Sequence, residues 1–88
     1  MTKETLTVNT DEEGATMYRN ADGEIHNANG PAVVCASGYK AYYINDELHN
    51  PDGPAIVCAD GSKAYYINGK YLAKAQFKAW QSKQSAPR

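Results

Sequence analysis

Apolar residues along this chain fall in short bursts of three to six, each closed by turn-forming residues, and the bursts recur with a period of 23. Pro31-Ala-Val-Val-Cys35 returns as Pro54-Ala-Ile-Val-Cys58, and Tyr39-Lys-Ala-Tyr-Tyr-Ile44 returns as Lys63-Ala-Tyr-Tyr-Ile67. The bursts are rich in β-branched and aromatic residues and too short for helices, so they predict strands. Glu24-Ile25-His26 and Glu47-Leu48-His49 predict short third strands. Between them lie Ala36-Ser37-Gly38 and Ala59-Asp60-Gly61, loops ending in Gly that suit a hairpin residue with positive φ. Asn45-Asp46 and Asn68-Gly69, foreshadowed by Asp22-Gly23, read as tight hairpin turns, with Asp46 less favourable than Gly at its position.

The full register runs without a gap from His26–Asp46 onto His49–Gly69, so that His26, Gly30-Pro31-Ala32, Cys35 and Tyr42-Tyr43 all have counterparts. A fixed period of this length is the mark of stacked supersecondary units, none of which buries its apolar face alone. Gly14-Ala-Thr-Met-Tyr18 fits the second strand of a leading unit, with one insertion before Gly23, and Thr5-Leu-Thr-Val8 fits its first. The predicted fold is mainly β: an antiparallel meander of about two and a half hairpin units (residues 5–23, 24–46 and 47–69) within one domain spanning 1–81. After Gly69 the period changes. Ala73, Phe77 and Trp80 stand at i, i+4 and i+7 and predict an amphipathic helix over 73–81 that closes the open end of the sheet. Residues 82–88 read as a tail.

The 88 residues, 42% hydrophobic and 22% charged, are ordinary for a folded domain and include no apolar run near the ~20 residues of a spanning helix. The opening MTKETLTVNTDEE has no apolar stretch of a signal peptide, so the expected location is cytoplasmic and no membrane is expected as a partner. Charge is unevenly placed. Residues 1–59 carry nine acids against three bases, a balance of −6, whereas residues 60–88 carry six bases against Asp60 alone, a balance of +5. Such a split draws an acidic partner or a polyanion toward the C-terminal end, or another copy head to tail.

The 23-residue motif, with His, Gly-Pro-Ala, Asp-Gly and Tyr-Tyr-Ile-Asn-Gly-Lys at fixed spacing over residues 14–81, resembles a variant of the MORN repeat. It resembles still more the HxxxGPA…DGxxxYYxNG repeats of small proteins from T-even-type phages and large DNA viruses. Those chains also end in Asn-Gly-Lys, a Leu and a short helix with a central Phe, matched here by Asn68-Gly69-Lys70, Leu72 and Phe77. This chain departs from them in carrying Asn27 and Asn50 after each His, and Ala73 where a helix-capping Thr is usual. The resemblance implies a binding scaffold without a reaction of its own. It also implies a phage accessory protein acting in the bacterial cytoplasm on a host factor, such as an antiviral-defence or toxin–antitoxin component.

Cys35, Cys58, His26 and His49 have the composition of a structural zinc site, but each His precedes its Cys by nine residues, unlike the close ligand pairs of such sites. In a meander the two Cys strands are separated by another strand, which puts the thiols about 9–10 Å apart, beyond disulfide reach. No metal or cofactor is expected. The duplicated histidines fit a role in holding the Gly-Pro turn better than general-base chemistry, and no nucleophile triad, phosphate loop or carboxylate pair is present. The chain is therefore not expected to be an enzyme. Tyr42 and Tyr43 point to opposite faces, as do Tyr65 and Tyr66. One of each pair is expected in the core and the other in an outward row suited to a protein interface. With Lys63, Lys70, Lys74 and Lys78 these four tyrosines form the expected binding residues. A host protein is the expected partner. RNA or single-stranded DNA stacked on the Tyr/Lys surface, a homo-oligomer, or tyrosines packed under the helix are the competing readings.

Overall fold

The structure, a computed structural model, describes residues 5–84. Its strands are β1 (Thr7–Thr10), β2 (Thr16–Arg19), β3 (Val33–Val34), β4 (Lys40–Ala41), β5 (Tyr43–Ile44), β6 (Glu47–Leu48), β7 (Ile56–Val57), β8 (Lys63–Ile67) and β9 (Lys70–Leu72), followed by helix α1 (Lys74–Gln84). Seven of them form one antiparallel sheet in the order β1-β2-β3-β4-β7-β8-β9, and β5 pairs with β6 alone. The meander and closing helix are as the sequence predicts.

The β5–β6 pair is continuous with the sheet. Tyr42 separates β4 from β5, and its amide donates to Ala55 O (2.7 Å) while its carbonyl accepts from His49 N–H (3.0 Å). Residues 47–49 and 55–57 therefore lie end to end along the same side of the 40–44 strand, and residues 50–54 leave the line as a loop. The same arrangement occurs one period earlier. Tyr18 N–H donates to Ala32 O (2.8 Å), Tyr18 O accepts from His26 N–H (3.0 Å), and residues 27–31 form the loop. The molecule is thus a single sheet of seven lines whose third and fifth members throw loops onto one face. In the last line, α1 begins where the third such loop would start. Its extents of 44 × 38 × 17 Å are those of one layer with additions on one side.

Turn chemistry explains most boundaries. Cys35-Ala-Ser-Gly38 and Cys58-Ala-Asp-Gly61 close through Gly N–H to Cys O (3.0 and 2.9 Å), with φ of 107° and 94° at the glycines. Asp11–Gly14 is the same turn in the leading unit, where Asp11 replaces Cys and its Oδ1 also accepts from Glu13 N and Ala15 N (2.9 Å each). Asn45-Asp46 and Asn68-Gly69 are two-residue turns with positive φ at all four positions. Asp46 has a φ of 71°, and the unfavourable backbone is offset because its Oδ1 accepts from Ile25 N–H at 2.8 Å.

Asp22-Gly23 is a different turn from the one expected. Asn20 N donates to Glu24 O and Gly23 N to Asn20 O, a three-residue loop in which only Gly23 (φ 83°) is left-handed. The inserted residue of the leading unit sits here. It leaves the expected third strand at residues 24–26 as a single bridge between Arg19 and Ile25. The first two strands also lie about two residues later than the apolar pattern placed them.

The helix begins at Lys74 and runs to Gln84, beyond the expected end at 81. Gln76 Oε1 accepts from Ala73 N–H at 2.8 Å, which is half of a capping box; Ala73 has no hydroxyl to supply the other half. Of the expected stripe, Phe77 is buried, Trp80 half-buried and Ala73 exposed. Phe77 stacks on Trp80 (centroids 6.0 Å) and tilts over Tyr65 (4.7 Å), fixing α1 on the loop-bearing face. Among the described residues, three of the five buried hydrophobic ones are alanines, Ala32, Ala41 and Ala55, each 0% exposed.

Candidate binding surfaces

The two faces of the sheet differ, and the register assigns residues to each. Pairings Val33↔Ala41, Ala41↔Ile56, Ile56↔Ala64 and Tyr43↔Leu48 place these side chains on one face, with Met17 opposite Val33. By alternation Cys35, Tyr39, Cys58 and Tyr66 join them. Tyr71, directly opposite Tyr66 and in edge contact with its ring (5.7 Å), extends the row. Burial pushes the Tyr39 phenol above its ordinary value, and Tyr43, Cys58, Cys35 and Tyr66 act on it in the same direction, as expected of groups sharing a face. Tyr42, Ala55, Val57 and Tyr65 lie on the opposite face, under the loops and α1.

The loop-bearing face contains a groove of about 900 Å³ between loops 27–31 and 50–54. Tyr42, Ile44 and Val57 line it together with His49, Pro31 and Pro54. Each wall is built the same way. Asn27 Nδ2 donates to Pro31 O (3.1 Å) and Asn29 N–H to Asn27 Oδ1 (3.0 Å); Asn50 Nδ2 donates to Pro54 O (2.9 Å) and Asp52 N–H to Asn50 Oδ1 (3.0 Å). The Asn that follows each His, a departure from the resembled repeats, thus ties its own loop shut. Asp52 is the only charged residue among those lining the groove. A shallower hollow on the other side of the 50–54 loop runs along α1 past Lys78 and Trp80, where Gln81 Nε2 donates to Pro51 O at 3.0 Å.

The histidines occupy equivalent sites. His26 Nδ1 accepts from Asn45 N–H (3.0 Å) and His49 Nδ1 accepts from Asn68 N–H (2.9 Å), so each anchors the tight turn that closes its own unit and not the Gly-Pro turn expected from sequence. Duplication follows from that geometry. His26 is buried and His49 half-buried. Removing an acceptor from a buried donor costs more than from a wet one, so His26→Ala is expected to destabilise by roughly 1–2 kcal/mol and His49→Ala by less; urea unfolding of both variants checks the order. The cysteines are free thiols, half-buried on the loop-free face.

The eight expected binding residues do not form one site. Tyr42 lines the groove and Lys78 the neighbouring hollow. Tyr65 is covered by Phe77. Tyr43 and Tyr66 face the other way, and Lys63, Lys70 and Lys74 are exposed along β8, β9 and the start of α1. The division of each tyrosine pair into a core and an outward member does not hold either, since all four are half-buried in a sheet with little thickness to hide them. The loops ending in Gly-Pro were legible only as turns, because nothing in a turn motif shows that two of them will flank a cleft. No helix among the described residues is long and apolar enough to cross a membrane. No protein-family model, curated protein or solved structure matches the chain. Fold and surfaces together define a small β-repeat scaffold with a groove on one face and a tyrosine-rich sheet on the other.

Proposed function

We propose that the chain is a non-enzymatic binding module that seats an extended segment of a partner protein in the groove between loops 27–31 and 50–54. The observation that carries this reading is the groove itself, with Tyr42 on its floor and proline on both walls. Its two walls spring from lines two strand steps apart, about 9–10 Å. A helix with its side chains is about 10–12 Å across and does not fit between them, whereas an extended chain does. Tyr and Pro supply rigid contact area, and Asp52 at the rim favours a segment carrying a cation. The duplicated histidines support a scaffold role, since both are engaged in holding turns. The likeness to repeats of small phage proteins makes a host factor, such as an antiviral-defence or toxin–antitoxin component, the expected partner.

Lys63, Lys70, Lys74 and Lys78 support a second reading, nucleic acid held on the basic C-terminal third, but the groove has no cation among its lining residues. Capture from nuclease-treated bacterial lysate separates the two. A protein retained by the wild type and lost with Tyr42→Ala supports the groove, with an expected affinity loss of about 2 kcal/mol, roughly thirtyfold. Retention abolished by nuclease and by salt, and indifferent to Tyr42→Ala, transfers the function to the lysines.

A further inference from the structure

The loop-free face is the larger unexplained surface. Ile25, Leu48, Met17, Val33, Ile56, Tyr43 and Tyr66 lie on it half-exposed, and Tyr71 is 60% exposed. The strands that α1 packs on are β8 and β9, and its Phe77 lies over Tyr65 on the opposite side. A sheet in a stable domain ordinarily has an apolar face packed against a second layer. Among the described strand residues the register puts a single charged side chain on this face, that of Arg19, directly opposite Thr7 on β1.

We infer that two copies of the chain pack face to face through this surface, about a two-fold axis that runs along β4–β5 between the two sheets. Charge selects a second copy and fixes the orientation. The sheet has seven lines, and the β4–β5 line is the middle one. Rotation about it lays the first lines of one copy over the last lines of the other. The acidic turn Asp11-Glu12-Glu13 then lies at the end of the sheet where the partner copy carries Lys63 and the first residue of α1, Lys74. Residues 5–38, on the first three lines, carry five acids against Arg19, a balance of −4, and lie over residues 47–84 of the other copy, which carry five lysines against three acids, a balance of +2. Lys63 and the lysines of α1 stand on the outer, loop-bearing side, so the attraction acts around the rim, and the reverse holds by symmetry. Arg19, which reaches Met17 Sδ (3.2 Å) and Gly23 O (2.9 Å), comes over the second copy's Tyr66 ring, a favourable site for a guanidinium. Parallel stacking would set acid on acid and base on base. The dimer leaves the groove open on its outer surface, so it stands independently of the groove reading.

The orientation makes a covalent prediction. Cys35 and Cys58 both lie beside Tyr39, on the lines flanking the axis: Cys35 N–H donates to Tyr39 O, and Lys40 pairs with Val57. The rotation places Cys35 of one copy over Cys58 of the other, across a gap of about 10 Å. A short bis-maleimide should therefore cross-link a mixture of C35S and C58S chains far more than either variant alone. Light scattering of the full chain should give twice the 9.6 kDa mass at low salt, with dissociation promoted by 1 M salt. Tyr43→Lys and the more exposed Tyr71→Lys should each yield monomers with an unchanged circular dichroism spectrum, whereas Tyr42→Ala should remain dimeric. A monomer at high micromolar concentration in low salt overturns the proposal. So does an open polymer, or cross-linking within each single variant as strong as in the mixture.

Discussion

Phe77→Ala is expected to lower stability by about 3–5 kcal/mol, the range for removing a buried aromatic ring. The side chain is 3% exposed and is the only buried residue of α1, so no neighbour on the helix takes over its role. It bridges Tyr65 on β8 and Trp80 on its own helix, and its amide donates to Ala73 O at 2.8 Å in the first turn. Losing it releases the helix from the last repeat and exposes Ile67 and the edge at β9. For a domain this small, that is a large share of the total. Thermal unfolding followed by circular dichroism should show a drop of well over 10 °C, at about 4–8 °C per kcal/mol. A change of only a few degrees would mean that the stack of repeats stands without its cap.

The second large effect comes from enlarging an alanine. Ala55→Leu is expected to cost roughly 3 kcal/mol, the upper part of the range for overpacking. Ala55 is 0% exposed, and its backbone is held on both sides, by Tyr42 N–H to its carbonyl (2.7 Å) and by its own amide to Ala64 O (2.9 Å). Extra methylene groups there would push the 50–54 loop off the sheet and open the wall of the groove. Ala32 occupies the same site one period earlier and also donates its amide to its neighbouring strand, at Ala41 O. Ala32→Leu should therefore unfold at a similar urea concentration, and a wide difference between the two would show that the units are not energetically equivalent.

Repetition made much of the fold legible. The Gly-terminated hairpins and the paired turns at 45–46 and 68–69 were readable because a 23-residue period repeats each local signal at the same phase, and the helix after Leu72 because the period changes there. Local rules failed where a turn depended on one residue more or less. Asp22-Gly23 carries the same dipeptide signal as a tight turn, yet Asn20 supplies side-chain acceptors to Asp22 N and Glu24 N (3.0 Å each) and stabilises the longer loop. The surfaces were less legible still. Alternation correctly sent Tyr42 and Tyr43 to opposite faces, but it says nothing of which face a loop will cover.

What the sequence determined by itself is the repeating backbone: the unit boundary, the Gly-ended hairpins, the tight turns at 45–46 and 68–69 and the change from period two to period 3.6 after Gly69. These depend on interactions between residues a few positions apart, and such residues meet whatever the rest of the chain does. Only the tertiary structure decided that residues 27–31 and 50–54 stand side by side as walls and that Phe77 covers Tyr65 but leaves Tyr42 open. It alone left Tyr43, Tyr66 and Tyr71 on a sheet with no second layer. Those outcomes depend on the side to which each loop folds, the side on which Ala32 and Ala55 are fully buried, and not on any local preference.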